Sequence, residues 1–143
     1  MKKFGATSLV ILVGVLSLGT SYAADRCDGF SKYAVNDPIA GEGDIPTKTS
    51  LGAYFLGKVT AVGNYSMSVS GDLPNSGISI SANINCMPGK DGALTGSLTY
   101  NNSSSSLGIG ENANGNKSAI HEDGSIYVVT TDLIPVALSF SKV

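Results

Sequence analysis

The chain has 143 residues, with nine Lys and Arg against eleven Asp and Glu, a formal net charge of −2. That length serves one domain and is too short for two cores, and the lack of a basic excess argues against a nucleic-acid partner. Charged residues are only 14% of the chain and Trp is absent, so Ser, Thr, Asn and Gly carry the polarity, a composition that favours turns and strands over helices.

Residues 1–23 are expected to be a cleaved secretory signal. Lys2 and Lys3 supply a positive end, an uncharged run rich in Leu, Val and Ile follows from Ser8 to Leu18, and Ser21 and Ala23 hold the small-residue positions before the cut. The apolar run falls short of the roughly 20 residues that a membrane-spanning helix needs. Removing 23 of the 143 residues leaves 120, with seven basic against eleven acidic groups and a net charge of −4. The expected destination is an exported one: periplasm, cell surface or medium.

Ala24, Asp25 and Arg26 precede Cys27, and the two charges there exclude it as a lipid-anchored cysteine, which follows a small residue. Cys27 and Cys86 are the only cysteines. In an oxidising compartment such a pair forms a disulfide, and closing a loop of about 60 residues stabilises the fold by about 4 kcal/mol through chain entropy. Free thiols and a two-cysteine metal site are the competing readings. With His121 as the sole histidine, zinc would lack ligands, so neither a metal nor a cofactor is expected.

Residues 24–50, broken by Pro38, Gly41, Gly43 and Pro46, read as an irregular arm that wraps the domain with one short strand or turn. Residues 51–143 read as an antiparallel β-domain forming one folding unit with that arm. The segment SLGAYFLGKVTAV opens the sheet. In NYSMSVS, Tyr65, Met67 and Val69 alternate with Ser66, Ser68 and Ser70; in GISISANINC, Ile78 to Cys86 alternate with Ser79, Ser81, Asn83 and Asn85; in ALTGSLTY, Leu94, Gly96, Leu98 and Tyr100 alternate with Thr95, Ser97 and Thr99. Period-two alternation marks half-buried strands.

Glycine-bounded GDLPNSG and MPGKDG separate these runs, and Asn114-Gly115 and Asp123-Gly124 are hairpin dipeptides. A type I′ turn is expected at Asp123-Gly124. The apolar run SIYVVTTDLIPVALSF reads as buried strands with an edge or bend at Pro135. The predicted fold class is all-β, a single antiparallel β-sandwich or small closed barrel of about seven or eight strands, with no helix after the signal.

No catalytic residue is assigned. His121 lacks an evident orienting acid, because Glu122 and Asp123 are its neighbours along the chain, and no Gly-x-Ser-x-Gly elbow occurs. The oxygen-rich loop GENANGNKSAIHE lacks carboxylates at the end positions of a calcium loop. Asn64, Asn101, Asn102 and Asn116 each open an Asn-x-Ser triplet, a glycosylation acceptor only in a eukaryotic secretory pathway. What stands out is a face of short uncharged polar groups, Ser66, Ser68, Ser79, Ser81, Thr95 and Ser97, repeated in phase on three strands.

The composition therefore points to an exported non-catalytic domain that acts by binding a protein or a glycan: an adhesin-like surface module, a pilus-type subunit or an inhibitor of a secreted enzyme. A small outer-membrane β-barrel is the first alternative, and an enzyme of unrecognised type the second. Under the preferred reading the mature chain has no membrane span.

Overall fold

The computed structural model describes residues 25–44, 53–74, 77–107, 117–133 and 135–143. A 3-10 helix, Arg26–Lys32, comes first, in a segment expected to be irregular and without a helix, where the Asp25 carboxylate caps its start. Nine strands follow: β1 (Pro38–Asp44), β2 (Ala53–Gly63), β3 (Ser66–Leu73), β4 (Ile78–Cys86), β5 (Leu94–Tyr100), β6 (Ser103–Leu107), β7 (Ala119–Ile120), β8 (Ile126–Val129) and β9 (Ala137–Lys142). They form one antiparallel sheet in the order β6-β5-β4-β3-β2-β1-β9-β8-β7. Strands β1 to β6 make one meander and β7 to β9 another, and β9 joins them by pairing with β1, Phe140 opposite Gly41.

The sheet curls into a half-barrel around its apolar face. Ile39, Phe55, Val59, Met67, Val69, Ile80, Ile84, Leu98, Leu138 and Phe140 are all buried there. The tightest part of the curl lies at inward-facing glycines on neighbouring strands. Gly57 on β2 pairs with Gly71 on β3, and the Phe55 ring lies over both. A Cβ on Gly71 would stand 2.3 Å from the Leu56 carbonyl oxygen and 2.8 Å from Phe55 Cε1. With no side chains between them, two backbones approach and an aromatic ring fills the corner, a device by which sheets bend. Phe55 then meets Phe140 at 6.3 Å, and Phe140 meets Tyr33 edge-on at 6.4 Å.

The helix packs on this core through Cys27 and Phe30, and Tyr33 just after it joins them. Cys27 and Cys86 form a disulfide with Cα atoms 5.6 Å apart, joining the helix to the end of β4. Asp25 reinforces the joint: its carboxylate accepts the Cys27 N–H at 3.0 Å and the Gly89 N–H at 2.6 Å. Tyr33 donates its phenol to the Gly124 carbonyl at 2.7 Å, and burial, aided by the negative charge of Asp123, pushes its pKa up.

All-β holds, whereas a sandwich or closed barrel of seven or eight strands does not. Among the described residues the sheet edges meet at the isolated bridges Ala93–Ala119 and Leu107–Thr130, and the two residues of β7 and five of β6 are too short for a continuous seam. The segment read as an irregular arm with one short strand or turn supplies β1, a seven-residue strand. There the inward positions are Ile39, Gly41 and Gly43, so glycine hides the alternation. The all-serine start of β6 hides it as well. Pro135 lies in the connection before β9. The proposed leader, residues 1–23, and Asn114-Gly115 lie outside the described residues.

Two outcomes test this packing. Gly71→Val should destabilise the domain by about 3 kcal/mol, because the backbone on one side and a ring on the other leave the new methyls no room; chemical denaturation measures it. Alkylation of the unreduced protein followed by intact mass spectrometry should find no modified thiol, and the paired substitution Cys27→Ala/Cys86→Ala should cost about 4 kcal/mol.

Candidate functional site

The outer face of β3 to β6 is a grid of hydroxyls and amides. Register places Ser68 opposite Asn83, Asn83 opposite Ser97 and Ser97 opposite Ser106. One row along, Ser70, Ser81, Thr99 and Ser104 face each other in turn; on the other side, Ser66 faces Asn85 and Asn85 faces Thr95. The six residues singled out from the sequence, Ser66, Ser68, Ser79, Ser81, Thr95 and Ser97, thus lie on one side of three adjacent strands. Tyr65, expected on the apolar side of the first run, packs against the core but from the β2–β3 turn, with φ of 60°.

Several of these groups bond one another. Ser68 Oγ donates to Asn83 Oδ1 at 2.7 Å, Ser79 Oγ donates to Asp72 Oδ1 at 3.0 Å, and Thr99 Oγ1 donates to Ser104 Oγ at 3.4 Å. Such cross-strand pairs hold the side chains in register. At the Asp72 end the face dips into a hollow of about 590 Å³. Ser70, Ser81 and Thr99 line it on one side, Asp72 and Ser79 on another, and Asn101 with Asn102 at a further margin. Both asparagines have positive φ, 48° and 66°, and together make a type I′ turn between β5 and β6.

Sequence reading missed Asp72, Asn101 and Asn102 as members of this site. The alternation template skipped them because Asp72 lies where the serine run ends and the asparagines lie in a turn. Leu56 was missed too: it is 44% exposed and stands opposite Asp72 on β2. A run of polar residues in phase signals a face, but only the register shows which neighbouring strand supplies its apolar border.

His121 sits in the β7–β8 hairpin beside Ser125 and Asp123. Ser125 Oγ lies 3.4 Å from His121 Nδ1 but donates to Asp123 Oδ1 at 2.6 Å. The carboxylate therefore takes the serine hydroxyl directly, whereas in a Ser-His-acid mechanism the acid orients the histidine. Those bonds from Ser125, side chain first and backbone second, hold the Asp123 carboxyl below the usual aspartate range. Among the described residues no group of three or more His, Cys, Asp or Glu converges as for a metal ion. No described helix is long and apolar enough to cross a membrane.

The turn itself departs from the expected type I′. Gly124 N–H donates to the His121 carbonyl at 3.0 Å and His121 N–H to the Ser125 carbonyl at 2.9 Å, and in this loop positive φ falls on Gly124 alone, at 89°. This is a three-residue hairpin with the bulge at glycine. No atom lies within 4 Å of a Cβ built there, so only backbone strain opposes substitution. Gly124→Val should lower stability by about 1–2 kcal/mol, read as a fall in melting temperature, and Gly124→Asn by less.

No protein-family model, curated protein or solved structure matches the chain.

Proposed function

We propose that the chain is an exported, non-catalytic β-domain that acts by binding, through the outer face around Ser66, Ser68, Ser79, Ser81, Thr95 and Ser97. The observation that carries this reading is the register, which assembles in-phase serines, threonines and asparagines from adjacent strands into one continuous polar surface with Asp72 and Lys58 at its border. Short side chains lose little rotamer entropy on docking, and those already bonded to neighbours lose less. The Cys27–Cys86 disulfide is consistent with an oxidising compartment, hence with periplasm, cell surface or medium.

Two further features support binding over the alternatives. The apolar side chains fill the inside of the curl while the serines lie outside, the reverse of an outer-membrane barrel whose apolar face meets lipid. At the His121 cluster the contacts run in the wrong order for a serine nucleophile, which disfavours an enzyme. Within the binding class, an adhesin-like module fits best, because the polar face is open and wide.

Replacing Ser68 and Ser81 together with Lys should weaken attachment to the native partner by about tenfold or more, with the melting temperature preserved. Binding by the wild type should change only modestly with salt, since the two charges bordering the serine rows, Asp72 opposite Ser79 and Lys58 opposite Ser70, are of opposite sign. The comparison uses whole cells, extracted glycans and secreted enzymes as targets. Equal binding by both proteins overturns the face assignment, and substrate hydrolysis by the purified protein overturns the non-catalytic reading.

A further inference from the structure

The hollow beside Asp72 points to a ligand class. Its margins combine one carboxylate, several hydroxyls and two amides, and that mixture matches polyhydroxylated compounds. A carboxylate accepts two hydroxyl hydrogens at once, and an asparagine amide both donates and accepts. Asp72 Oδ1 takes the Ser79 hydroxyl, which orients the carboxylate, and no other described residue bonds Oδ2. Leu56, opposite Asp72 on the same face, and Tyr54, 52% exposed two residues away, border the polar groups with an apolar strip. A sugar ring presents that pairing of surfaces, hydroxyls at its rim and C–H groups on its faces.

The asparagines add a second observation. The β5–β6 turn needs positive φ at both central residues, which glycine meets with less strain, yet both positions carry an amide at the margin of the hollow. The turn also fixes the backbone beneath those amides, so little order has to be imposed when a ligand arrives. Charge narrows the class further. Among the described residues Asp72 is the only ionisable group lining the hollow, and Lys58, opposite Ser70 one row away, balances it. An acidic glycan gains no net attraction there.

We propose that this hollow is a subsite for a neutral glycan, with Asp72 accepting a vicinal pair of sugar hydroxyls, Asn101 and Asn102 bonding the adjoining ones, and Leu56 meeting the ring face. The proposal rests on the reading of the outer face as a binding surface and names the partner of that surface.

The test is depletion of the intact exported protein by cellulose, chitin and mannan, with heparin as the anionic comparison. At least one neutral polysaccharide should retain the wild type. Asp72→Asn, which keeps shape and removes one acceptor's charge, and Asn102→Gly, which keeps the turn, should each reduce retention by about tenfold. Stronger retention on heparin than on every neutral polysaccharide overturns the proposal, as does undiminished retention of both variants. If no neutral polysaccharide holds the protein while the Ser68→Lys/Ser81→Lys variant still loses its attachment to cells, the glycan subsite falls and the binding face stands. If that double variant attaches to cells as the wild type does, the face falls with it.

Discussion

The contact between the Phe55 ring and the paired Gly57 and Gly71 backbones decides the shape of this molecule. Nine strands in one sheet would ordinarily twist into an open saddle with both faces wet. Here side chains are missing on the inner face just where two strands meet, so the sheet folds toward itself and a ring occupies the corner. That bend brings Phe140 and Tyr33 to the same ring cluster. From Tyr33 the contacts run through its phenol to the β7–β8 turn, at the far edge of the sheet. One packing arrangement thus links the middle of the sheet to its β7 edge.

Curling leaves open ends that the strands alone do not cover, and the 3-10 helix occupies one of them. Seven residues of 3-10 helix have little stability of their own, so Asp25 and the disulfide hold the segment in place from two sides. The seam raises a related difficulty, because short edge strands leave backbone groups unpaired. Buried Ser118 and Thr130 meet part of it. Ser118 Oγ bonds both the N–H and the carbonyl of Val129, at 2.9 and 3.1 Å, and Thr130 Oγ1 accepts the Val136 N–H at 3.0 Å. Side-chain hydroxyls there do what a neighbouring strand would do in a closed barrel.

The strands that alternate in side-chain type were legible from composition pattern alone. Ile78 to Cys86 falls in β4 and is buried at every second residue; the Leu94 run is β5, and Cys86 faces inward to its partner. Illegible were the strands whose inward side chains had been removed. In β1 the sequence IAGEG offers Ile39 and then two glycines, which read locally as a breaker, and only the pairing of Gly41 with Phe55 and Phe140 and of Gly43 with Ala53 and Leu138 reveals their use. The same limit applied at the outer face. Serines in phase were visible residue by residue, while Asp72, Asn101 and Leu56 joined them through register and turn geometry, which single-strand patterns do not encode.

If the outer face is the binding surface proposed above, its internal pairing constrains how a partner docks. Ser68 is already bonded to Asn83 and Ser79 to Asp72, so an arriving partner exchanges hydrogen bonds more often than it adds them. Each exchange contributes little, since the net worth of one such bond is about 1 kcal/mol even when new. Affinity on a surface of this kind comes from many small contacts in a fixed grid, which a partner with a repeating array of hydroxyls or amides can match row by row. A single small ligand gains little from the serine rows and must rely on the hollow, where the carboxylate is less fully occupied and an apolar border is at hand. On the proposed reading, a fixed grid of short side chains would therefore favour extended or multivalent partners, with selectivity carried at the Asp72 end.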